Sequence, residues 1–158
     1  MTSTLQGSTV IIGTDQLLLK ELRRTGIDHG GNRVEPFTDE GGDWPLRCCL
    51  TRSAVGDRLA IVNWSPFSWH GAYRTHGPIV IHADACPAEP DGTLPARFET
   101  QSQILRAYSK EHRLIYELNR LVEPGDGLAA AIDDMLADPR VDFVQSYNVL
   151  AGCYSFTA

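Results

Sequence analysis

The sequence predicts an α+β fold built from a curved, mostly antiparallel sheet of about seven to nine short strands with two helices. Strand-like runs mostly adjoin along the chain, and turns rich in Gly and Pro separate them, which favours antiparallel pairing over βαβ winding. Only two segments combine helical periodicity with start and stop residues. The length of 158 residues and the 42% apolar content fit one domain spanning residues 1–158.

The first third of the chain reads as strand, helix and loop. Residues 8–13 predict a short buried strand, and Thr14-Asp15 begins a helix that Gly26 ends. Residues 28–45 predict a surface loop with an edge strand at NRVEPF.

The centre predicts paired strands. The runs LRCCLTR and RLAIVNW, joined by a turn at residues 55–57, indicate an antiparallel hairpin, and PIVIHA is a further strand.

The second half predicts a hairpin, a helix and two closing strands. QSQILRAY and RLIYELNRLV flank a polar turn at residues 109–112. A helix follows, capped by Asp126 and stopped before Pro139, and its buried face consists of Leu128, Ile132, Met135 and Leu136. VDFVQSYNV and GCYSFTA predict two strands that reverse at Ala151-Gly152.

Charge and composition exclude several classes of protein. A formal charge of −6 without a basic stretch argues against nucleic acid as a partner. No apolar run is long enough to span a bilayer, and the start MTSTLQGSTVIIG lacks a signal-peptide pattern. Four cysteines are too few for a disulfide scaffold, so we expect free thiols, a cytoplasmic protein and no membrane partner. A homodimer is possible.

The adjacent thiols Cys48 and Cys49 are the first candidates for chemistry. On a strand they point to opposite faces, so one packs in the core and the other reaches a cleft. Arg47 beside them lowers a thiol pKa, which favours a nucleophilic thiolate. Burial as small apolar side chains is the commoner fate of free cysteines.

His82 is the second candidate, as a general base. Period-two spacing places His82, Asp84 and Cys86 on one side of an extended strand, as a base, an orienting acid and a thiol. A partial zinc site is the alternative, but zinc sites usually show paired spacing such as C-x-x-C, which the chain lacks. The sequence therefore predicts no metal ligand and no cofactor.

A segment rich in aromatic residues connects two of the predicted strands and supplies most of the candidate ligand-binding side chains. Such segments line pockets for flat or apolar ligands, although an Ω-like loop packed on its own aromatics is equally compatible. Asn148 either orients a ligand or holds a turn. The predicted binding residues are Arg47, Trp64, Trp69, His70, Tyr73, Arg74, His76, Asn148 and Cys153. Arg106, in mid-strand, is expected to pair with a carboxylate of this chain or of a ligand, and Glu117 and Asp142 are the internal candidates.

The order of motifs resembles the domain of unknown function 1203 family of uncharacterised bacterial proteins across nearly the whole chain. The resemblance rests on LRCCL, VGDRLAIVNW, AYRTHGPIVIHADAC, LRAY, the helix leading to ADPRV, and NVLAGCY. Many members of that family carry histidines at the positions of Gln145 and Tyr147 and an arginine at Gln101. The resemblance thus implies a diverged member with an altered, more aromatic pocket.

Taken together, the sequence predicts a small-molecule-binding protein, expected to be an enzyme of specialised metabolism that uses acid–base or cysteine chemistry. His82 is the expected base, and Cys48 or Cys49 the nucleophile. A noncatalytic module that binds a ligand or partner is the alternative, and no G-x-S-x-G, phosphate loop or H-E-x-x-H is present to decide between them.

Overall fold

The computed structural model describes residues 9–158. Ser8, the start of the first predicted strand, lies outside that range. Residues 1–8, for which no leader was predicted, also lie outside it. Within the range, residues 9–13 do not form a full strand. Ile12 instead makes one isolated antiparallel bridge with Thr157, at the end of the chain.

Helix α1 (Gln16–Thr25) begins and ends where local sequence signals place it. The Asp15 carboxylate accepts a hydrogen bond from the Leu18 N–H, which satisfies one of the free donors of the first turn. Gly26 ends the helix in the left-handed region, with φ of 68°. Leu19 and Leu22 form its buried face.

A three-stranded antiparallel sheet has the order β1-β2-β3. Its strands are β1 (Phe37–Thr38), β2 (Arg58–Trp64) and β3 (Gly77–His82). Val62 pairs with Ile79 and Leu59 with His82, which puts His82 at the end of β3 nearest the start of β2. Of the predicted edge strand NRVEPF, only Phe37 belongs to a strand.

The predicted hairpin between LRCCLTR and RLAIVNW is wrong, because β3 is the hairpin partner of β2. LRCCLTR instead closes on itself. Pro45 bridges Arg52, and the Leu46 N–H donates to the Thr51 carbonyl at 2.9 Å. Leu46 also makes a parallel bridge to Val80, so this short loop lies along the free edge of β3.

A second antiparallel sheet has the order β5-β4-β6-β7. Its strands are β4 (Gln103–Tyr108), β5 (Arg120–Val122), β6 (Phe143–Asn148) and β7 (Tyr154–Thr157). The reversal between β6 and β7 falls at residues 149–153, as predicted, with Gly152 in the left-handed region. Two 3₁₀ helices, Ala96–Thr100 and Tyr116–Leu118, precede β4 and β5.

Helix α2 (Leu128–Leu136) packs against β4 and β6 through Leu128, Ile132 and Met135, the apolar face that the sequence predicted. Its predicted cap is wrong. The N-cap position is Gly127, which has no side chain. The Glu99 carboxylate accepts hydrogen bonds from the N–H groups of Leu128 and Ala129 at 3.0 and 3.3 Å.

The structure confirms the α+β class, and residues 9–158 contain two α-helices and seven strands divided between two open antiparallel sheets. One apolar cluster joins α1 to the three-stranded sheet, and another joins α2 to the four-stranded sheet. Tyr147 and Tyr154 of the second sheet pack into the first cluster, so the two sheets meet there. No helix within residues 9–158 has the length and apolarity to cross a membrane.

We expect Glu99→Ala to lower the free energy of unfolding by about 1 kcal/mol, because two N–H groups of α2 lose their acceptor and the helix dipole loses its anion. Urea unfolding followed by circular dichroism measures the difference. Glu40→Ala is the control, since Glu40 is exposed in a loop. Equal losses in the two variants would contradict the capping role.

Candidate functional site

Three thiols and one imidazole converge at the end of β3. The Sγ atoms of Cys48, Cys49 and Cys86 and one ring nitrogen of His82 all lie within 4.8 Å of one another. Nδ1 of His82 is 3.7 Å from the Cys48 sulfur and 3.8 Å from the Cys49 sulfur, and the two sulfurs are 4.0 Å apart. The cluster is sheltered, because Cys48 is 0% and Cys49 8% exposed.

The backbone explains this convergence. The parallel bridge between Leu46 and Val80 carries Cys48 to the level of His82, whose N–H donates to the Cys48 sulfur at 3.3 Å. Residues 47–50 are bends rather than strand, and Leu50 has a positive φ of 58°. The prediction that the adjacent thiols face opposite sides of a strand is therefore wrong, because strand alternation does not apply here.

Asp57, and not the predicted Asp84, is the acid that orients His82. The Asp57 carboxylate lies 3.3 Å from Nε2 of His82, whereas Asp84 is exposed and pairs with Arg58 at 2.8 Å. An ionised carboxylate only accepts, so Nε2 carries the proton and the Nδ1 lone pair points at the thiols. Asp57 was not among the residues predicted from sequence, because it lies in a turn 25 residues before its partner.

Each of the three sulfurs also lies beside a hydrogen-bond donor other than the clustered thiols and the imidazole ring. The His82 N–H donates to Cys48, the Thr51 hydroxyl lies 3.0 Å from Cys49, and the Arg23 guanidinium donates to Cys86 at 3.4 Å. Arg23 belongs to the last turn of α1 and also donates to the His82 carbonyl at 3.0 Å. No motif pointed to Arg23 or Thr51.

The thiols differ in proton affinity. Hydrogen bonds from Cys48 and then from Cys86 lower the pKa of Cys49 well below its usual range. For Cys48 the effect is opposite: its hydrogen bond with Cys49, followed by its hydrogen bond with Cys86, raises its pKa. Of the two adjacent thiols, Cys49 is therefore the stronger acid in this geometry.

A separate cavity of about 230 Å³ lies beside the edge of β3. Its walls are mostly apolar, and Arg47 and Asn148 are its main polar groups. The lining residues are Trp44, Pro45, Arg47, Ile61, Pro78, Ile79, Val80, Asn148, Ala151 and Cys153. This cavity brings together three of the predicted binding residues, Arg47, Asn148 and Cys153.

Arg47 is a buried cation that has no anionic partner among residues 9–158. Its side chain is 5% exposed, and Nε donates to the Tyr154 carbonyl at 2.6 Å. The buried NH1 atom finds no acceptor within residues 9–158. Burial, followed by repulsion from Arg97, lowers the pKa of Arg47 to about 10, so the guanidinium still carries its charge at neutral pH.

A second cavity of about 130 Å³ adjoins the first, since Cys153 lines both. It also contains Trp64 and His76, two more predicted binding residues. Arg106 lines it too, and its predicted pairing with Glu117 or Asp142 is wrong. The guanidinium lies 4.3 Å from the centre of the Tyr147 ring, while Glu117 pairs with Arg140.

The other aromatic and basic candidates lie outside these two cavities. Trp69 stacks on His112 with ring centres 4.3 Å apart, and Tyr73 contacts the Tyr116 hydroxyl. Arg74 bonds to Ser65 and to the ring of His70. This part of the segment packs against His112 and Tyr116 and on its own polar side chains. Trp69, His70, Tyr73 and Arg74 therefore keep a binding role only as a prediction.

The positions at which relatives were expected to carry histidine form an internal hydrogen-bonded chain. The Tyr147 hydroxyl donates to Gln145 at 2.6 Å, and the Gln145 amide donates to the Pro66 carbonyl at 3.3 Å. Both side chains are buried.

Comparison with protein families shows that residues 43–158 match the family described as "Protein of unknown function (DUF1203)". The match covers more than half of the chain, so the protein belongs to this family, as its motifs predicted. The comparisons with curated proteins and with solved structures found no match. The family description assigns no chemistry.

We expect Gly13→Ala to destabilise the fold by about 1–3 kcal/mol, because the new Cβ would lie 2.3 Å from the Arg47 carbonyl oxygen and 3.1 Å from Leu50. Urea unfolding measures the change. Gly41→Ala is the matched control, since its Cβ would have no neighbour within 4 Å, and it should change stability by less than about 0.5 kcal/mol. Equal stability of both variants would mean that the segment carrying Arg47 adjusts freely.

Proposed function

We propose that the protein binds a small organic carboxylate with an apolar body in the two adjoining cavities at the edge of β3. The observation that carries this proposal is Arg47, a buried cation that pairs with no carboxylate of residues 9–158 and that lines a mostly apolar cavity. A buried cation without a counter-ion is costly to the fold, so its retention is best explained by an anion that arrives with the ligand.

The charge distribution around the cavities supports an anionic ligand. The protein carries a formal charge of −6, yet no Asp or Glu is among the residues that line either cavity. Their ionisable groups are Arg47, Arg106, His76, Cys153 and buried tyrosines. Local basic character in an acidic protein concentrates anions at this place and repels cations.

The shape and the other lining groups support a ligand of modest size. Cavities of about 230 and 130 Å³ are smaller than the ligand pockets of most drug-sized molecules. Trp44, Ile61 and Val80 offer apolar contact, and Arg47 offers a positive charge to a carboxylate. The side chain of Asn148 accepts a hydrogen bond from the Ala151 N–H at 3.0 Å, so its role at the cavity is to hold the loop.

The geometry favours the noncatalytic form of this function. The predicted nucleophiles Cys48 and Cys49 and the predicted base His82 line neither cavity, so a ligand held by Arg47 does not reach them. A cytoplasmic location is part of the proposal and is supported by four free cysteines. The acidic balance supports a partner other than nucleic acid, and a homodimer stays a prediction.

The experiment is calorimetric titration of the full chain with a panel of benzoate, phenylacetate and hexanoate, each compared with its neutral amide. We expect at least one carboxylate to bind and its amide to bind more weakly. Arg47→Met keeps the side-chain length and removes the charge, so it should weaken carboxylate binding about tenfold to hundredfold.

Arg120→Met is the control, because Arg120 pairs with Asp134 and lines neither cavity. It should bind the same carboxylate as tightly as the wild-type chain. Thermal unfolding of Arg47→Met checks that the variant is folded. If it is, equal binding by Arg47→Met and wild type sinks the proposal, as does a complete lack of binding across the panel.

A further inference from the structure

The cluster of three thiols and one imidazole has the composition of a zinc site. We propose that Cys48, Cys49, His82 and Cys86 bind one zinc ion in a closed structural site. Zinc in such sites takes four cysteine or histidine ligands in a tetrahedron, and Cys₃His is one of its common ligand sets. The inference is independent of the proposed carboxylate ligand, because none of these four residues lines either cavity.

The separations between ligand atoms agree with tetrahedral coordination. Bonds of about 2.3 Å to sulfur and 2.0–2.1 Å to nitrogen place ligands about 3.8 Å apart for two sulfurs and about 3.6 Å apart for sulfur and nitrogen. The Cys48 and Cys49 sulfurs are 4.0 Å apart, and His82 Nδ1 is 3.7 and 3.8 Å from them. The whole set lies within 4.8 Å.

The surroundings supply the second layer of contacts that zinc ligands usually have. Asp57 accepts from Nε2 of His82 and leaves Nδ1 free to bind metal, which is the carboxylate–histidine arrangement of many zinc sites. Each sulfur also faces one donor, from the His82 N–H, the Thr51 hydroxyl or the Arg23 guanidinium. Hydrogen bonds of this kind stabilise the thiolates that remain when metal binding releases the thiol protons to solvent.

Charge and donor type favour zinc over magnesium and calcium. One Zn²⁺ with three thiolates carries one negative charge, and the Arg23 guanidinium at 3.4 Å from Cys86 balances it. Magnesium and calcium prefer oxygen donors, whereas the groups that converge here are thiols and an imidazole. Burial of Cys48 and Cys49 indicates a site closed to substrate, not an open catalytic one.

The same geometry bears on the predicted nucleophile, base and acid. Cys49, His82 and Asp57 are arranged as a nucleophile, a base and an orienting acid. Two more thiols belong to the same cluster, however, and one of them, Cys48, is fully buried. A nucleophile needs access to substrate, whereas a structural metal needs enclosure. No metal site was predicted from the sequence, because these ligands lack a paired spacing such as C-x-x-C. They come instead from a loop, a strand end and the loop after it.

The first test is metal analysis of the full-length chain, produced in zinc-supplemented medium and purified without chelators. We expect about one zinc ion per chain. Replacement of zinc by Co²⁺ should give the intense sulfur-to-metal charge-transfer and visible bands of tetrahedral cobalt with thiolate ligands. Alkylation of the loaded protein should modify Cys153 alone, and removal of the metal should expose the other three thiols.

Two serine variants assign the ligands. Cys86→Ser removes the half-buried ligand from a loop and should reduce zinc content and the cobalt charge-transfer band at least about tenfold. Cys153→Ser removes the one cysteine outside the cluster and should keep both. If Cys86→Ser does not fold, the wild-type measurements of zinc and cobalt binding still test the proposal, because they do not depend on either variant.

Three results overturn the proposal. The first is a folded wild-type chain that takes up neither zinc nor cobalt under reducing conditions. The second is iron or copper in place of zinc in the purified protein. The third is full retention of zinc by Cys86→Ser or its loss in Cys153→Ser.

Discussion

A short parallel pairing between the loop at residues 45–52 and the free edge of β3 positions both proposed sites. Leu46 bridges Val80, and the Arg47 N–H donates to the Val80 carbonyl at 2.9 Å. Next to this pairing, the Arg47 side chain donates to the Tyr154 carbonyl and lines the proposed ligand cavity. The Cys48 sulfur accepts a hydrogen bond from the His82 N–H. Because Arg47 and Cys48 are covalent neighbours, a shift of the loop along β3 would displace the cation and the thiols together.

The loop keeps its shape through contacts that outweigh local strain. Leu50 is buried with a positive φ of 58°, a conformation that costs a residue other than glycine about 1–3 kcal/mol. Arg97 donates two hydrogen bonds to the Leu50 carbonyl, at 3.2 and 3.3 Å. Leu50 also packs in the apolar cluster beneath the four-stranded sheet. These contacts fix a bend that sends both thiols to one side.

The parts of the fold that sequence could predict are those encoded by neighbouring residues. Asp15 and Gly26 mark the ends of α1 because capping is local, and the apolar spacing of α2 is read within one helix. The cap of α2 was beyond such reasoning, because Glu99 reaches it from 29 residues away. The candidate residues were predicted individually, but their grouping depends on tertiary pairing.

The thiol cluster could not be predicted from neighbouring residues either, because its members meet only through tertiary pairing. Cys48 and His82 are 34 residues apart, and their contact follows from a parallel bridge that no hydrophobic pattern announces. Asp57 and Arg23 come from two further elements, a turn and a helix. Alternation along a supposed strand separated the two adjacent thiols, whereas the bend at Leu50 unites them.

The two proposed sites would affect the loop at residues 45–52 in opposite ways. Arg47 is a charge buried without a partner, which favours movement of the loop toward water, whereas metal bonds to Cys48 and Cys49 would hold the loop against β3. A metal ion would thus offset the cost of the buried cation by cross-linking the loop to His82 and Cys86. A zinc ion bound there would keep the proposed carboxylate site preorganised, because the cation could not turn outward to be solvated while its neighbours remained ligands.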